Sequence, residues 1–114
     1  MAATCGVVLT EDAALDLQEL YDYIAENDAP AKADYVLDCI EQLLASLANM
    51  PERGAWTKEL LALGIQEYRE TAFKPYRVIY RVIQRDKRRM VYVYLIVDGR
   101  RDMKALLQRR MFRA

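Results

Sequence analysis

The runs YRETAFK (residues 68–74), YRVIYRVI (76–83) and VYVYLIV (91–97) form the segment on which the fold of this chain depends. β-branched and aromatic residues dominate them, and such residues suit the pleated, packed surface of a sheet. Pro75 separates the first two runs and a short polar link at 84–89 separates the last two, so we expect neighbouring runs to pair antiparallel as a meander. The third run is apolar on both faces, which is typical of a central strand.

Two amphipathic helices are predicted before the meander. The first begins after Thr10, a plausible N-cap followed by acids that suit the helix dipole, and runs to about Glu26. The second begins at Pro30, which suits a first helical turn, and runs to about Ala48 with apolar residues at helical spacing. Because the link between them is short, we expect an antiparallel hairpin lying against the sheet.

Shorter elements are predicted around this frame. The apolar run 7–9 adds a strand, residues 58–63 form a short helical turn, and 103–111 form a short basic C-terminal helix. Trp56 lies in an irregular stretch without periodic context. The prediction is therefore a single α+β domain over 1–114, with an antiparallel sheet made of the N-terminal strand and the three-stranded meander, and the helical hairpin packed on it.

Composition excludes several classes of protein. No run approaches the ~18 apolar residues that span a bilayer, and no basic segment precedes an apolar one as in a signal peptide. Cys5 and Cys39 fit a reduced, cytoplasmic protein better than a disulfide. The chain has no histidine, the commonest general base and zinc ligand, so we expect no metal and no cofactor. Any catalysis has to use Arg, Lys, Tyr, Glu or Asp.

Charge is divided unevenly along a chain whose formal net charge is zero. Residues 1–68 hold 3 basic and 13 acidic side chains, a balance of −10, whereas residues 69–114 hold 14 basic and 4 acidic ones, a balance of +10. This asymmetry indicates either an anionic partner for the basic half or a polar contact surface. The alternative is a solvated surface whose two halves balance each other.

Two motifs make the chain similar to a known family. The segment YRVIYRV at 76–82 and the segment GRRD at 99–102, together with Pro51 and the Gly54 loop, resemble the RelE/ParE superfamily of bacterial toxins from type II toxin–antitoxin systems. The resemblance extends from about Val7 to Met111 and includes the predicted order of strand, helical hairpin and meander.

This resemblance implies a small cytoplasmic toxin held inactive by a co-produced antitoxin. For the ParE-like branch the partner is a ParD-like antitoxin in a hetero-oligomer, whose C-terminal segment wraps the hairpin and the sheet. An amphipathic segment carrying acids would suit an apolar helix pair beside a basic sheet rim. The residues that we expect to contact the antitoxin are Leu17, Tyr21, Ile24, Arg77 and Arg81.

Two activities occur on this fold, and the resemblance has to be tested residue by residue. RelE-like members cut mRNA in the ribosomal A site, whereas ParE-like members poison DNA gyrase. Arg77 and Arg101 stand at the arginine positions of the ribonucleases, but the lysine positions fall on Tyr68 and Glu70, and the C-terminal tyrosine position falls near Leu107. A carboxylate at Glu70 would repel a phosphate, so gyrase inhibition that blocks replication is favoured. A ribosome-dependent endoribonuclease remains the alternative, because some family nucleases use glutamate as base.

We expect the basic tail to contact gyrase, so that any contact of this chain with DNA is only indirect. The expected target-binding residues are Arg101, Lys104, Arg109, Arg110 and Arg113. Structural roles compete with these functional ones. Arg77 and Arg81 can pair across strands with Glu70 or Asp98, Arg101 can pair with Asp98 or Asp102, and the helix end can simply be solvated. Tyr80, Tyr92 and Tyr94 are expected to pack in the core or across strands.

Overall fold

The computed structural model describes residues 5–112, and it contains five strands and four helices within that range. Their bounds are β1 Gly6–Leu9, α1 Glu11–Asn27, α2 Pro30–Asn49, β2 Ala55–Trp56, α3 Lys58–Leu61, β3 Arg69–Phe73, β4 Tyr76–Arg85, β5 Arg88–Asp98 and α4 Met103–Met111. The predicted α+β class, helical hairpin, meander and C-terminal helix are all confirmed. None of the helices in 5–112 combines the length and the apolar character needed to cross a bilayer.

The helix starts follow from local chemistry. Thr10 Oγ1 accepts a hydrogen bond of 3.1 Å from the Ala13 amide, so it caps α1 as predicted. Asp102, the last residue of the GRRD motif, does the same for α4 by accepting 3.1 Å from the Ala105 amide. Pro30 is the first residue of α2, where a missing backbone donor costs nothing.

The sheet has the order β1-β5-β4-β3-β2, so β5 lies in the interior as expected from its apolar sequence. The meander β3-β4-β5 is antiparallel, but β1 pairs with β5 in parallel, from Gly6 opposite Met90 to Leu9 opposite Val93. The sheet is therefore mixed, and the prediction of an antiparallel N-terminal strand was wrong. Parallel pairing needs a long crossover, and the hairpin and meander between these two strands supply it.

Trp56, which lacked any periodic context, belongs to a two-residue strand. In β2, Ala55 lies opposite Glu70 and Trp56 lies opposite Arg69 on β3. The guanidinium carbon of Arg69 lies 4.0 Å from the centroid of the Trp56 ring, which is the geometry of a cation–π contact. Two residues are too few to show an alternating pattern, so the sequence could not indicate this strand.

A bulge in β5 changes which residues of that strand face each side of the sheet. Ile79 lies opposite Leu95 whereas Tyr80 lies opposite Val93, so Tyr94 is the extra residue. Val93 accordingly packs under the helical hairpin, while Leu95 packs on the opposite face. The single strand therefore contributes to two separate clusters of buried side chains.

These two clusters cover both faces of the sheet. The larger one lies between the sheet and the hairpin, and it includes Tyr80, whose buried hydroxyl accepts a 3.0 Å hydrogen bond from the Gly54 amide. The smaller one lies under α3 and α4, and its buried members are Leu60, Ile79, Leu95, Val97, Met103 and Leu107. Because residues alternate along β4, Arg77 and Arg81 project to the side of the smaller cluster.

Candidate functional site

Arg77 lies at the centre of a cluster of charges on the face of the sheet that carries α3. Its Nη1 and Nη2 donate to Glu59 Oε2 and Oε1 at 2.9 and 2.8 Å, and its Nε and Nη2 donate to Glu70 Oε2 and Oε1 at 2.9 and 2.5 Å. Only 13% of the Arg77 side chain is exposed. One cation is thus held between two carboxylates, and the formal charge of the three side chains is −1.

Electrostatics favours the ionised forms of Glu59 and Arg77. The hydrogen bonds from Arg77 hold the pKa of Glu59 below its usual value. The hydrogen bond with Glu59, followed by the interaction with Glu70, raises the pKa of Arg77 despite its burial. Arg77 therefore cannot exchange protons near neutrality, and its donors are already occupied by carboxylates. The predicted cross-strand partner Glu70 is confirmed, and Glu59 is a second partner that the sequence did not indicate.

Two of the positions that a ribonuclease would use for proton transfer, Tyr68 and Leu107, are poorly suited to it. Leu107 is buried in the smaller cluster, with 1% of its surface exposed, and its side chain carries no proton to transfer. Tyr68 is half-buried, and its ring lies edge-on to Tyr94 at a centroid distance of 5.5 Å. Burial raises the pKa of Tyr68, which makes the phenol a weaker acid near neutral pH.

The GRRD motif forms a tight turn between β5 and α4. Arg100 donates to Asp98, with an Nη2–Oδ2 distance of 2.6 Å, and this hydrogen bond lowers the pKa of Asp98. Gly99 is required by close packing, because a Cβ at this position would lie 2.6 Å from Cδ of Arg77. Arg101 is exposed and forms no ion pair within residues 5–112, so the pairing with Asp98 or Asp102 that we considered is absent there. The motif therefore packs on Arg77 and presents Arg101.

A groove of about 500 Å³ lies between α1 and the turn. Arg101 and Arg100 line it from the turn, and Leu20, Tyr23 and Ile24 line it from α1. Asp16, Glu19, Tyr76 and the last residues of β5 complete the lining. It combines an apolar wall with charged ends.

The basic residues of α4 divide into two kinds. Arg110 is fixed, because its Nη1 and Nη2 each lie 2.9 Å from the carboxylate of Asp16 and its Nη1 also donates to the Tyr94 carbonyl at 2.6 Å. The hydrogen bond with Asp16 raises the pKa of Arg110. Lys104 and Arg109 are exposed. The predicted contact residue Arg113 lies outside the described residues.

The residues predicted to contact an antitoxin lie on two different faces. Leu17 and Tyr21 are half-buried and Ile24 is buried, and all three line the seam between α1 and α2. Arg77 and Arg81 lie on the other face of the sheet, where Arg81 Nη2 is 3.4 Å from Glu67 and its guanidinium lies 6.0 Å from the Tyr68 ring centroid. A partner that touches both groups has to pass around an edge of the sheet.

Sequence reasoning missed two acids that organise the molecule. Asp16 had the pattern of a solvated helix face, yet its side chain is 11% exposed and holds Arg110. Glu59 lies on the short helix α3 and meets Arg77, which lies 18 residues further along the chain. No local periodicity signals either contact. Within residues 5–112, no group of three or more His, Cys, Asp or Glu side chains is arranged to hold a metal ion.

A family model described as ParE toxin of type II toxin–antitoxin system, parDE, matches residues 7–103. Among solved structures, a chain of the chromosomal ParDE TA system from P. aeruginosa is similar with a TM-score of 0.67 and 19% sequence identity, over 85% of this chain and 98% of that one. At that identity the similarity shows the fold. No curated protein sequence matches the chain.

Proposed function

The chain belongs to the ParE toxin family of type II toxin–antitoxin systems, and from that membership we propose that it inhibits DNA gyrase and thereby blocks replication. The Arg77 cluster is the observation that favours gyrase over ribosome-bound mRNA as the target. Its two glutamates occupy the donors of the arginine that a related ribonuclease would offer to phosphate. The resulting charge of −1 repels RNA rather than attracting it.

The chemistry of RNA cleavage gives a second argument. A ribonuclease of this kind moves two protons in one turnover, and each transfer contributes roughly 10²–10⁴-fold to the rate. Leu107 carries no proton to transfer, and Tyr68 is a weaker acid than a free tyrosine because burial raises the pKa of its phenol. Glu59 is a weak base because Arg77 lowers its pKa. Both oxygens of Glu59 and of Glu70 accept hydrogen bonds from Arg77, which disfavours either glutamate as the general base at this cluster.

The exposed cations support a protein or DNA-backbone contact. Arg101, Lys104 and Arg109 follow β5 in one continuous stretch and are all exposed. We propose that they contact gyrase, with DNA approached only through the enzyme. Arg110 supports this surface indirectly, because its ion pair with Asp16 holds α4 against α1. Arg113 stays a proposed contact next to these residues.

The antitoxin is the second proposed partner. We propose a ParD-like protein that forms a hetero-oligomer with the toxin in the cytoplasm and wraps the hairpin and the sheet. Leu17, Tyr21 and Arg81 offer side chains that remain partly exposed, whereas Ile24 and Arg77 are largely covered by the toxin itself. A neighbouring open reading frame that encodes a small protein with an N-terminal DNA-binding fold would support this pairing.

Induction of the toxin without its antitoxin tests the proposal when DNA and RNA are analysed in the same cells. We expect growth arrest with DNA breaks trapped on gyrase, with intact mRNA, and with rescue by the small protein encoded next to the gene. Codon-specific mRNA cuts in cells whose DNA is intact would contradict gyrase as the target. Normal growth under full induction would contradict toxicity altogether.

A further inference from the structure

The outer edge of β5 is covered along only part of its length. β1 pairs with β5 up to Leu9 opposite Val93, and the next amide, that of Thr10, donates to the Val93 carbonyl at 3.0 Å. Beyond this point the chain turns away into α1. No strand within residues 5–112 pairs with this edge at 94–98. An uncovered strand edge is a template for pairing with another chain.

Two side chains satisfy the first backbone groups of the uncovered edge. The Tyr94 carbonyl, which the bulge directs outward, accepts from Arg110 at 2.6 Å. The Ile96 amide donates to Asp16 Oδ2 at 3.1 Å. Because backbone groups alternate along a strand, the next groups on the same edge are the Ile96 carbonyl and the Asp98 amide. An acceptor followed two residues later by a donor is the pattern that a parallel strand needs, and it continues the direction of β1.

A groove of suitable character adjoins this edge. It has a volume of about 500 Å³, which accommodates a few side chains of a peptide rather than a second folded copy. Its α1 wall is apolar, and Tyr23 there has 66% of its surface exposed. This exposure is large for an aromatic residue beside an open strand edge.

The charges around the groove specify the occupant further. Asp16 and Asp98 are paired with Arg110 and Arg100, so both acids are already neutralised. Arg101 forms no ion pair within the described part of the chain and is the lining cation left to attract a partner, while Glu19 lies on the α1 wall. A segment with an apolar residue followed by an acid complements this arrangement.

We propose that an extended segment of the antitoxin adds to the sheet as a strand parallel to β5, opposite Val97. The Ile96 carbonyl and the Asp98 amide bond its backbone, an apolar side chain contacts Tyr23, and an acidic side chain pairs with Arg101. In this mode main-chain bonds give affinity while the flanking pockets select side chains. The inference rests on the proposed antitoxin partner. It also places an antitoxin contact on Arg101, so the bound antitoxin covers part of the surface proposed to contact gyrase.

The test uses the full toxin and a synthetic peptide with the sequence of the C-terminal segment of the antitoxin encoded next to the toxin gene. Amide hydrogen exchange is measured residue by residue with and without the peptide. The Ile96 amide is an internal reference, because Asp16 already bonds it in the free toxin. Affinity is measured for Arg101→Glu and Tyr23→Lys, with Arg88→Glu and Leu15→Lys as exposed controls that do not line the groove.

We expect the peptide to slow exchange of the Asp98 amide at least about tenfold, and each groove variant to lose at least about tenfold in affinity while the controls stay within about twofold. Binding with unchanged Asp98 exchange would overturn strand addition and leave the proposed antitoxin partner standing. A peptide that binds the groove as a helix would leave exchange of the Asp98 amide unchanged and would still bind the Arg101→Glu variant more weakly than wild type. Protection of Asp98 by self-association, without peptide, would also overturn the proposal. Absence of any binding would overturn both the site and the proposed partner.

Discussion

Arg110 and Asp16 form a two-pronged ion pair, in which both nitrogen–oxygen distances are 2.9 Å. The pair joins the last helix to the first across the outer edge of β5, and each partner also bonds the backbone of that strand. Two side chains thus take the place of a missing neighbouring strand at the bulge. Since both side chains are mostly buried, the arrangement fixes α4 on the rest of the molecule.

Removal of one partner of this pair should destabilise the protein strongly. We expect Arg110→Gln to lower the free energy of unfolding by about 2–4 kcal/mol, because it leaves the Asp16 carboxylate uncompensated in a mostly buried site. Urea denaturation measures the effect. Arg109→Gln, one residue away and exposed, should change stability by less than about 0.5 kcal/mol. Equal stability of the two variants would show that the ion pair does not hold α4.

The Arg77 cluster should make stability depend on pH in a defined direction. Because Arg77 lowers the pKa of Glu59 below its usual 4.5, the ionised carboxylate stabilises the native state above that pH, and the contribution is lost as pH falls through the lowered pKa. Arg77→Met removes this contribution and leaves two carboxylates facing each other. We expect a loss of about 2–4 kcal/mol near pH 7 that becomes clearly smaller near pH 4.

Denaturation of Arg77→Met and wild type at both pH values measures this difference. Arg81→Met, on the same strand and face but with a longer and more exposed ion pair, is the matched control. Its effect should be below about 1 kcal/mol at both pH values. An Arg77→Met defect that is as large in acid as at neutrality would exclude charge repulsion between Glu59 and Glu70 as its cause.

The turn between β4 and β5 offers a stabilising substitution. Asp86 and Lys87 have φ angles of +49° and +67°, a left-handed conformation at both central residues of a two-residue hairpin turn. Lys87→Gly should raise the unfolding free energy by about 0.5–1 kcal/mol, because glycine adopts this conformation without strain. Lys87→Val should have the opposite effect, since a β-branched residue is disfavoured there. Thermal denaturation of the three proteins settles the order.

Charge reversal on α4 should separate toxicity from folding. We expect the double variant Lys104→Glu, Arg109→Glu to inhibit gyrase at least about tenfold less well while its melting curve stays close to that of wild type. Arg88→Glu, at the opposite end of β5, should inhibit as wild type does. Truncation after Leu107 is a poorer test, because it also removes Arg110 and so the contact with Asp16. Full inhibition by the double variant would remove α4 from the target surface.

Sequence periodicity predicts those parts of the fold that depend on local patterns. The hairpin, the meander and α4 were predictable because 3.6-residue and two-residue periods persist over several turns or strand residues. The direction of β1 was not, since a three-residue apolar run can pair in either direction. The bulge at Tyr94 could not be predicted either. β5 is apolar on both faces, so its sequence lacks the alternation of polar and apolar residues that a bulge would interrupt.

The candidate site shows the same division. The cross-strand pair of Arg77 with Glu70 follows from the meander register, and the sequence suggested it. Arg110 was predicted as a free contact residue, yet it bonds Asp16, which lies 94 residues away. Contacts over such separations depend on how helices pack on the sheet, and no pattern within a helix encodes them.

The choice of target is tested most directly with purified toxin, gyrase, supercoiled plasmid and ATP, followed by protein denaturation to release trapped DNA ends. We predict linear plasmid that accumulates with toxin dose, together with loss of supercoiling activity. A parallel reaction with translating ribosomes and mRNA should leave the mRNA intact, because carboxylates occupy the donors of Arg77 and Leu107 has no proton to transfer. Codon-specific mRNA cuts on the ribosome, with normal supercoiling by gyrase, would contradict the account.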